Sequence, residues 1–185
     1  MITETATSNL LICLGLGFGG YWAVLGALLH IISHALSKSL LFMLSGNILL
    51  KYQTTDIRKV RGLLRVSPLT GGAFLAATLA LIGVPPFAPF ISEFIIFRAG
   101  LERGPRWIAV TAVALLAVVF AGMLASVNQM MYGLPPDKLK RGGVLRWSLA
   151  PLVINFALLL VLGAPLPNAI IAALQGALAV LGVGQ

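Results

Sequence analysis

His30, His34 and Lys38 follow one another at spacings of four residues. A helix places residues at that spacing on one face, so these three side chains would form a row about 12 Å long. Imidazole titrates near neutral pH and can both donate and accept a proton. Two imidazoles and an amine in one row therefore predict a proton relay.

This row has three other interpretations. A buried histidine is often no more than satisfied polar packing, and a lysine can extend its stem toward water. Lys38 lies about 13 residues before Lys51, the first residue of a charged connector, and this depth is more than its stem can cover. His30 and His34 resemble half of a zinc site, but no third ligand is near in sequence, so no metal site is predicted.

Glu93 follows a segment rich in helix-breaking residues, Gly83-Val84-Pro85-Pro86-Phe87-Ala88-Pro89. Proline lacks a backbone donor and clashes with the preceding helical turn. A helix over 68–102 should therefore break at Gly83, Pro85, Pro86 and Pro89, and resume near Phe90. Glu93 is then a second candidate proton carrier beside unpaired backbone groups; the alternative is that it caps the second half-helix.

The amino-acid composition indicates the environment of these residues. Of 185 residues, 10% are charged and 59% are hydrophobic, whereas about 25% of an average soluble domain is charged. A soluble domain, a disordered chain and a coiled coil are thereby excluded. One cysteine excludes a disulfide framework and a thiolate metal cluster. The sequence predicts an integral membrane protein in contact with the lipid bilayer, where an ionisable residue is costly and points to function.

Basic residues concentrate in three connectors. Residues 51–65 hold five Lys and Arg, residues 98–106 hold three, and residues 137–146 hold four. Cytoplasmic loops are rich in Lys and Arg, so connectors 51–65 and 137–146, which two spans separate, are predicted to be cytoplasmic. This distribution accounts for the net charge of +8 without a nucleic-acid partner.

The predicted fold class is an all-α, polytopic membrane helix bundle of five or six segments, one of them broken by proline. Their expected bounds are 8–19, 21–51, 68–102 with the break, 106–132, 146–163 and 168–183. The first looks like the end of a span, and the topology of the last is left open. Ser67 is expected to cap the broken helix, and Thr55 or Asp56 a short turn before it. Asn128, Gln129, Asn155 and Gln175 are expected to form interhelical hydrogen bonds, with a place along a water path as the alternative.

Residues 15–20, GLGFGG, fit the G-x-G-x-x-G pattern of a dinucleotide-binding turn. That fingerprint also needs an acidic residue about 20 positions later, and residues 35–45 contain none. We therefore predict close helix packing at these glycines and no nucleotide cofactor.

Several motifs together resemble the antiporter-like membrane subunits of respiratory complex I, which are related to multisubunit sodium/proton antiporters and energy-converting hydrogenases. They are residues 28–43 (LLHIISHALSKSLLFM), Gly46-Asn47, Asp56-Ile57-Arg58, Gly62-Leu63-Leu64, and Ile82–Phe87 with Ser92-Glu93-Phe94. Ser-Glu-Phe after Pro-Pro-Phe, and residues 131–136 (MYGLPP), look most like the hydrogenase-4 component F branch. The resemblance covers most of residues 8–136, and residues 146–185 agree only in being apolar.

The resemblance implies a subunit built from two inverted repeats, each with a broken helix. His30, His34 and Lys38 match the residues that link the two halves, and Glu93 matches the broken-helix Lys or Glu of the second repeat. The buried glutamate and lysine of the first repeat have no counterpart here. The chain is therefore expected to be a C-terminal half, from a truncated gene, a split subunit or a fragment, with residues 1–136 as the antiporter-like core and 137–185 as accessory membrane helices.

The resemblance further implies a proton-translocating part of a redox-driven pump in a bacterial or archaeal inner membrane, such as an energy-converting hydrogenase or a complex I-like enzyme. The chain itself carries no redox or hydrolytic centre and no cofactor is expected. Its expected partners are other membrane subunits of such an assembly and, for a split subunit, a separate N-terminal half. The alternatives are a subunit of a multisubunit cation/proton antiporter and a non-functional structural fragment.

Overall fold

A computed structural model of the protein describes residues 2–136, 139, 142, 149–164 and 168–183. Within these residues every regular element is a helix and no strand occurs. The predicted all-α membrane fold is confirmed. Most of connector 137–146 and the expected start of the fifth segment at residue 146 lie outside the described residues.

Eight α-helices and one short 3-10 helix, Ile57–Lys59, make up the described part of the chain. The α-helices are α1 (Ile2–Phe18), α2 (Gly20–Tyr52), α3 (Leu63–Val66), α4 (Pro68–Leu81), α5 (Ala88–Arg103), α6 (Arg106–Met131), α7 (Leu149–Gly163) and α8 (Asn168–Val180). The first helix begins at Ile2 and not near residue 8, so it is a longer element than hydropathy alone indicated.

Among the described residues, α2 and α6 are long and apolar enough to cross a membrane. A third span results if α7 and α8, which are bent relative to each other, count as one. The shorter apolar helices are Thr5–Phe18 and Pro68–Leu81.

Helix α2 is the centre of the bundle, and α1, α4, α5, α7 and α8 all pack against it. Its buried residues Leu40 and Leu44 belong to a core that also contains Leu63, Phe74 of α4 and Leu159 of α7. Because lipid is as apolar as these side chains, the core stabilises the bundle chiefly through close packing.

A sharp turn at Gly19 and Gly20 joins α1 to α2. Both glycines have positive φ angles, 66° and 76°, which a residue with a side chain adopts only with strain. Just before the turn, Gly15 allows α1 to pack closely against α2 and α5. A Cβ at this position would lie 2.9 Å from Ala27 Cβ and 3.3 Å from Ile96 Cγ1, so a larger residue would not fit. The predicted close helix packing at these glycines is confirmed at Gly15.

The broken helix is confirmed between Leu81, where α4 ends, and Ala88, where α5 begins. Gly83 lies in the break with φ 71°, and the Pro85–Pro86 bond is cis. Pro89 was predicted to be part of the break but lies in the first turn of α5. The missing N–H of a proline breaks no helical hydrogen bond at that position, because the first-turn amides have no intrahelical acceptor.

One of the two predicted caps is confirmed. Asp56 accepts a hydrogen bond from the backbone N–H of Arg58, at 3.0 Å, and caps the 3-10 helix. Ser67 occupies the cap position of α4, but its hydroxyl donates to Thr70 Oγ1, at 3.0 Å, and makes no cap hydrogen bond.

Candidate functional site

The inner face of α2 carries the predicted ionisable row. His30 is 1% exposed, and His34 and Lys38 are partly buried. The two imidazole rings are stacked, with centroids 5.7 Å apart and an angle of 19° between their planes. The two rings of the predicted relay therefore lie next to each other, one helical turn apart.

Each member of the row bonds to a hydroxyl group on a neighbouring helix. The pairs are His30 Nδ1 with Ser92 Oγ of α5 at 2.9 Å, His34 Nδ1 with Ser8 Oγ of α1 at 2.9 Å, and Lys38 Nζ with Thr5 Oγ1 of α1. Sequence reasoning missed these hydroxyls, because Ser and Thr are common in apolar helices and nothing in one sequence marks those that face inward.

The hydrogen bonds of Ser92 fix the ring of His30. Ser92 Oγ donates its one proton to the carbonyl of Pro89, at 2.8 Å. It can therefore only accept from His30, so Nδ1 of that ring carries a hydrogen. Pro89 lies in the first turn of α5, so the start of the second half-helix sets the tautomer of a histidine on α2.

The other ring nitrogens, His30 Nε2 and His34 Nε2, are buried and have no hydrogen-bond partner among the described residues. A buried polar atom without a partner is rare and requires an explanation, of which a catalytic role is one. Both imidazoles thus have a nitrogen free for a further proton transfer.

Glu93 is 6% exposed and lies on α5, next in sequence to Ser92. It is not in the first turn of α5, so it does not cap that helix. Its carboxyl group lies against Gly83 in the break: a Cβ at Gly83 would be 2.9 Å from Glu93 Cδ and 3.1 Å from Glu93 Oε1. Glycine at this position makes the space that the carboxyl group occupies.

A small cavity of about 30 Å³ adjoins the Glu93 carboxyl group. A site needs about 10–15 Å³ to hold one water, so the cavity has room for about two. It is lined from α1, the end of α4, α5 and α6, by Thr7, Ser8, Leu11, Leu81, Ile82, Glu93, Leu116, Val119 and Phe120. Ser8 is thus both the hydrogen-bond partner of His34 and a wall of the Glu93 cavity.

Helix α7 packs against the break. Gly163 at its end lies against backbone atoms of the break, since a Cβ there would be 2.8 Å from Ala88 N and 2.8 Å from Phe87 C. The rings of Phe156 and Phe87 meet edge to face, with centroids 5.6 Å apart. Helix α7 therefore contacts both the break and α5, the helix that carries Glu93.

Of the four amide side chains that were predicted to bond between helices, Gln175 and Asn155 differ. Gln175 Nε2 donates to the hydroxyl of Tyr21, at 3.3 Å, and so links α8 to α2. The prediction is wrong for Asn155, whose Nδ2 donates to the carbonyl of Pro151 on its own helix, at 3.4 Å. The residue four positions earlier is the nearest acceptor, and an amide in an apolar helix readily bonds to it.

The structure brings His30, His34 and Lys38 together on one face of α2, each bonded to a hydroxyl group of α1 or α5, and Ser8, the partner of His34, lines a cavity with Glu93. Ionisable groups linked by hydroxyls in a membrane interior can pass protons and can offer few other reactions. Within the described residues no group of three or more His, Cys, Asp or Glu side chains could hold a metal ion.

The proteins that are similar to this chain include two relatives in sequence and one solved structure. Subunit N of the NADH-quinone oxidoreductase of Desulforudis audaxviator is 36% identical over 126 residues, which cover 67% of this chain and 25% of that protein. A hydrogenase-4 component F homolog of Methylacidiphilum infernorum is 30% identical over 161 residues, 87% of this chain and 33% of that protein. The chain thus spans about a quarter to a third of the length of these relatives.

In fold, the chain is similar to a subunit of respiratory complex I from Thermus thermophilus with bound NADH. The TM-score is 0.78 at 22% identity, and the likeness covers 90% of this chain and 35% of that one. In sequence, residues 10–133 match the family described as NADH:quinone oxidoreductase/Mrp antiporter, TM. The chain therefore belongs to this family of transmembrane proteins.

Proposed function

We propose that this chain conducts protons in the membrane as part of a redox-driven pump, with His30, His34, Lys38 and Glu93 as the proton carriers. The observation that carries the proposal is the row of three ionisable side chains on α2, each hydrogen-bonded to a hydroxyl group, of which Ser8 also lines the cavity beside Glu93. Membership of a family that includes NADH:quinone oxidoreductase subunits supports it.

In this mechanism, protons move by transfer between side chains and no bond other than those to hydrogen changes. Lys38 stands at one end of the row, next to the stacked imidazoles, and Ser8, which is bonded to His34, lines the cavity that Glu93 also lines. A charge that is added or removed at one member changes the proton affinity of its neighbours, because charges interact strongly where water is scarce. The energy for the cycle would come from electron transfer in partner subunits.

The rest of the chain has further roles in the same proposed function. Residues 1–136 form the conducting core and 137–185 the accessory helices, of which α7 supports the break. Connectors 51–65 and 137–146 face the cytoplasm of a bacterial or archaeal cell, where basic loops predominate. The partners are other membrane subunits of a hydrogenase-like or complex I-like assembly, and for a split subunit a separate N-terminal half.

The first experiment identifies the partners. The tagged chain is purified from gently solubilised native membranes, and the proteins that copurify are identified by mass spectrometry. We expect subunits with redox centres, either of a nickel–iron hydrogenase or of a quinone reductase. Recovery of the intact chain without any such subunit would contradict a place in a redox pump.

The second experiment measures proton uptake by inverted vesicles from the same cells, energised with NADH or hydrogen according to the partners found. Lys38→Met and Glu93→Gln should each abolish uptake and leave the amount of copurifying complex unchanged. The matched controls are Lys59→Met and Glu102→Gln, because both residues are exposed and Glu102 lies on the same helix as Glu93. Full uptake in both Lys38→Met and Glu93→Gln would refute the relay.

A second candidate function is exchange of a cation for protons, because the matched family also includes Mrp antiporters. The same residues would carry the protons. Copurification of antiporter subunits without redox subunits, together with uptake driven by a Na⁺ or K⁺ gradient, would favour this function. A third alternative, a structural fragment, predicts that His30, His34 and Lys38 can all be replaced without effect.

A further inference from the structure

We propose that the hydroxyl group of Ser8 is the link through which protons pass between His34 and Glu93; this inference rests on the proton conduction proposed above. Ser8 lies on α1 and is 7% exposed. Its Oγ is 2.9 Å from His34 Nδ1, and Ser8 lines the cavity that the Glu93 side chain also lines. Its hydroxyl group is therefore placed between the imidazole and the carboxyl group.

The histidines need such a link because their own hydrogen bonds lead to hydroxyl groups. His30 is bonded to Ser92 and His34 to Ser8. A proton that leaves either Nδ1 atom must therefore pass to a serine first. Which serine can carry it onward depends on what else that serine is bonded to.

The two serines differ in this respect. Ser92 donates its proton to the carbonyl of Pro89, so it would have to give up a buried hydrogen bond before it could donate elsewhere, which is costly. For Ser8 the structure describes no carbonyl acceptor, and the hydroxyl adjoins the cavity. Its hydrogen can turn toward His34 or toward the cavity as the charge on the imidazole requires.

The proton transfer begins at His34 and ends at Glu93. When His34 is doubly protonated, Nδ1–H donates to Ser8 Oγ, and the Ser8 hydrogen points into the cavity. Ser8 releases that hydrogen through cavity water to the Glu93 carboxylate while its oxygen takes the proton from Nδ1. His34 is then neutral, Ser8 is again a hydroxyl group and Glu93 is a carboxylic acid. The new Ser8 hydrogen points toward Nδ1, and its rotation back into the cavity prepares the next transfer.

The cavity has the volume that this route requires. About 30 Å³ accommodates about two waters, and Ser8, Thr7 and Glu93 supply polar atoms along its wall. The rest of the lining is apolar, so these three residues are the polar partners that waters there would find.

The test compares Ser8→Ala with Ser8→Thr in the native complex, in the vesicle uptake assay described above. Ser8→Ala removes the hydroxyl group, and Ser8→Thr keeps it. We expect Ser8→Ala to lower the rate of proton uptake about a hundredfold, the lower end of the contribution of a positioned proton-transfer group. Ser8→Thr should restore most of the rate. The control is Ser126→Ala, which removes an exposed hydroxyl bonded to its own helix at Gly122.

The outcomes separate this inference from the function on which it rests. A wild-type rate in Ser8→Ala together with a loss in Glu93→Gln would overturn the Ser8 link and leave the relay standing. Equal losses in Ser8→Ala and Ser8→Thr would also overturn it, because shape and not the hydroxyl group would then matter. A wild-type rate in both Glu93→Gln and Lys38→Met would refute the function itself. Copurification of the partner subunits is measured for every variant, so that failed assembly is recognised.

Discussion

The carboxyl group of Glu93 lies against the backbone of Gly83, although Gly83 is in the helix break and Glu93 is on the helix that follows it. Gly83 has a positive φ of 71° and no Cβ, and both properties are needed. The first lets the chain turn out of α4, and the second leaves room for the carboxyl group. The break therefore positions Glu93 as well as interrupting the helix.

Gly83→Ala should disturb both features. The left-handed backbone conformation of a residue with a side chain costs about 1–3 kcal/mol, and the added methyl group would displace the Glu93 carboxyl group. We expect a lower thermal unfolding temperature in mild detergent and a loss of proton uptake like that of Glu93→Gln. The control is Gly72→Ala on α4, which meets no atom within 4 Å; uptake equal to wild type in Gly83→Ala would contradict the proposed positioning.

Gly163→Ala should weaken the contact between α7 and the break. The neighbours of the new methyl group are backbone atoms of Pro86, Phe87 and Ala88, which cannot turn aside as a side chain can. Such overpacking costs about 1–3 kcal/mol, visible as a lower unfolding temperature. Gly176→Ala on α8 is the matched control, since a Cβ there meets nothing within 4 Å. Equal stability of the two variants would show that α7 is not held at the break.

Ser92→Ala should leave the Nδ1–H of His30 without an acceptor. An unsatisfied buried donor costs about 1–3 kcal/mol, which a thermal unfolding experiment on the purified complex can measure. Ser92→Thr keeps the acceptor and should recover most of the stability. If alanine and threonine variants unfold at the wild-type temperature, the hydrogen bond to His30 contributes nothing.

Asp56→Ala should affect the connector and leave conduction intact. The carboxylate accepts from the backbone N–H of Arg58 at an exposed site, and loss of such a cap costs about 1 kcal/mol. We expect a small decrease in unfolding temperature and wild-type proton uptake. A large decrease in uptake would place the connector in the conduction pathway, contrary to the proposal.

The sequence was informative where a rare residue type marks the site. His30, His34 and Lys38 stand out because charged and titratable residues are scarce in an apolar helix, and the spacing of four alone placed them on one face. The helix break was predictable because proline lacks an N–H and clashes with the preceding turn.

The contacts between distant parts of the chain could not be predicted in this way. Ser8 and Ser92 are ordinary residues in sequence, and only the packing of α1 and α5 on α2 shows that they meet the imidazoles. The approach of Gly83 to Glu93 depends on the direction of the chain through the break. The start of α1 was missed because polar residues such as Thr5 lower the hydropathy of its first turns. Thr5 is nevertheless the hydrogen-bond partner of Lys38.

The contact between Gly163 and the break also bears on how much of the chain works as one unit. The family match ends at residue 133, yet α7, which begins at Leu149, supplies the surface on which Phe87 and the carbonyl of Pro86 rest. A protein shortened to the matched residues would lose this surface, and the interrupted backbone would have one packing partner fewer. The smallest chain that keeps α7 against the break therefore extends at least to Gly163.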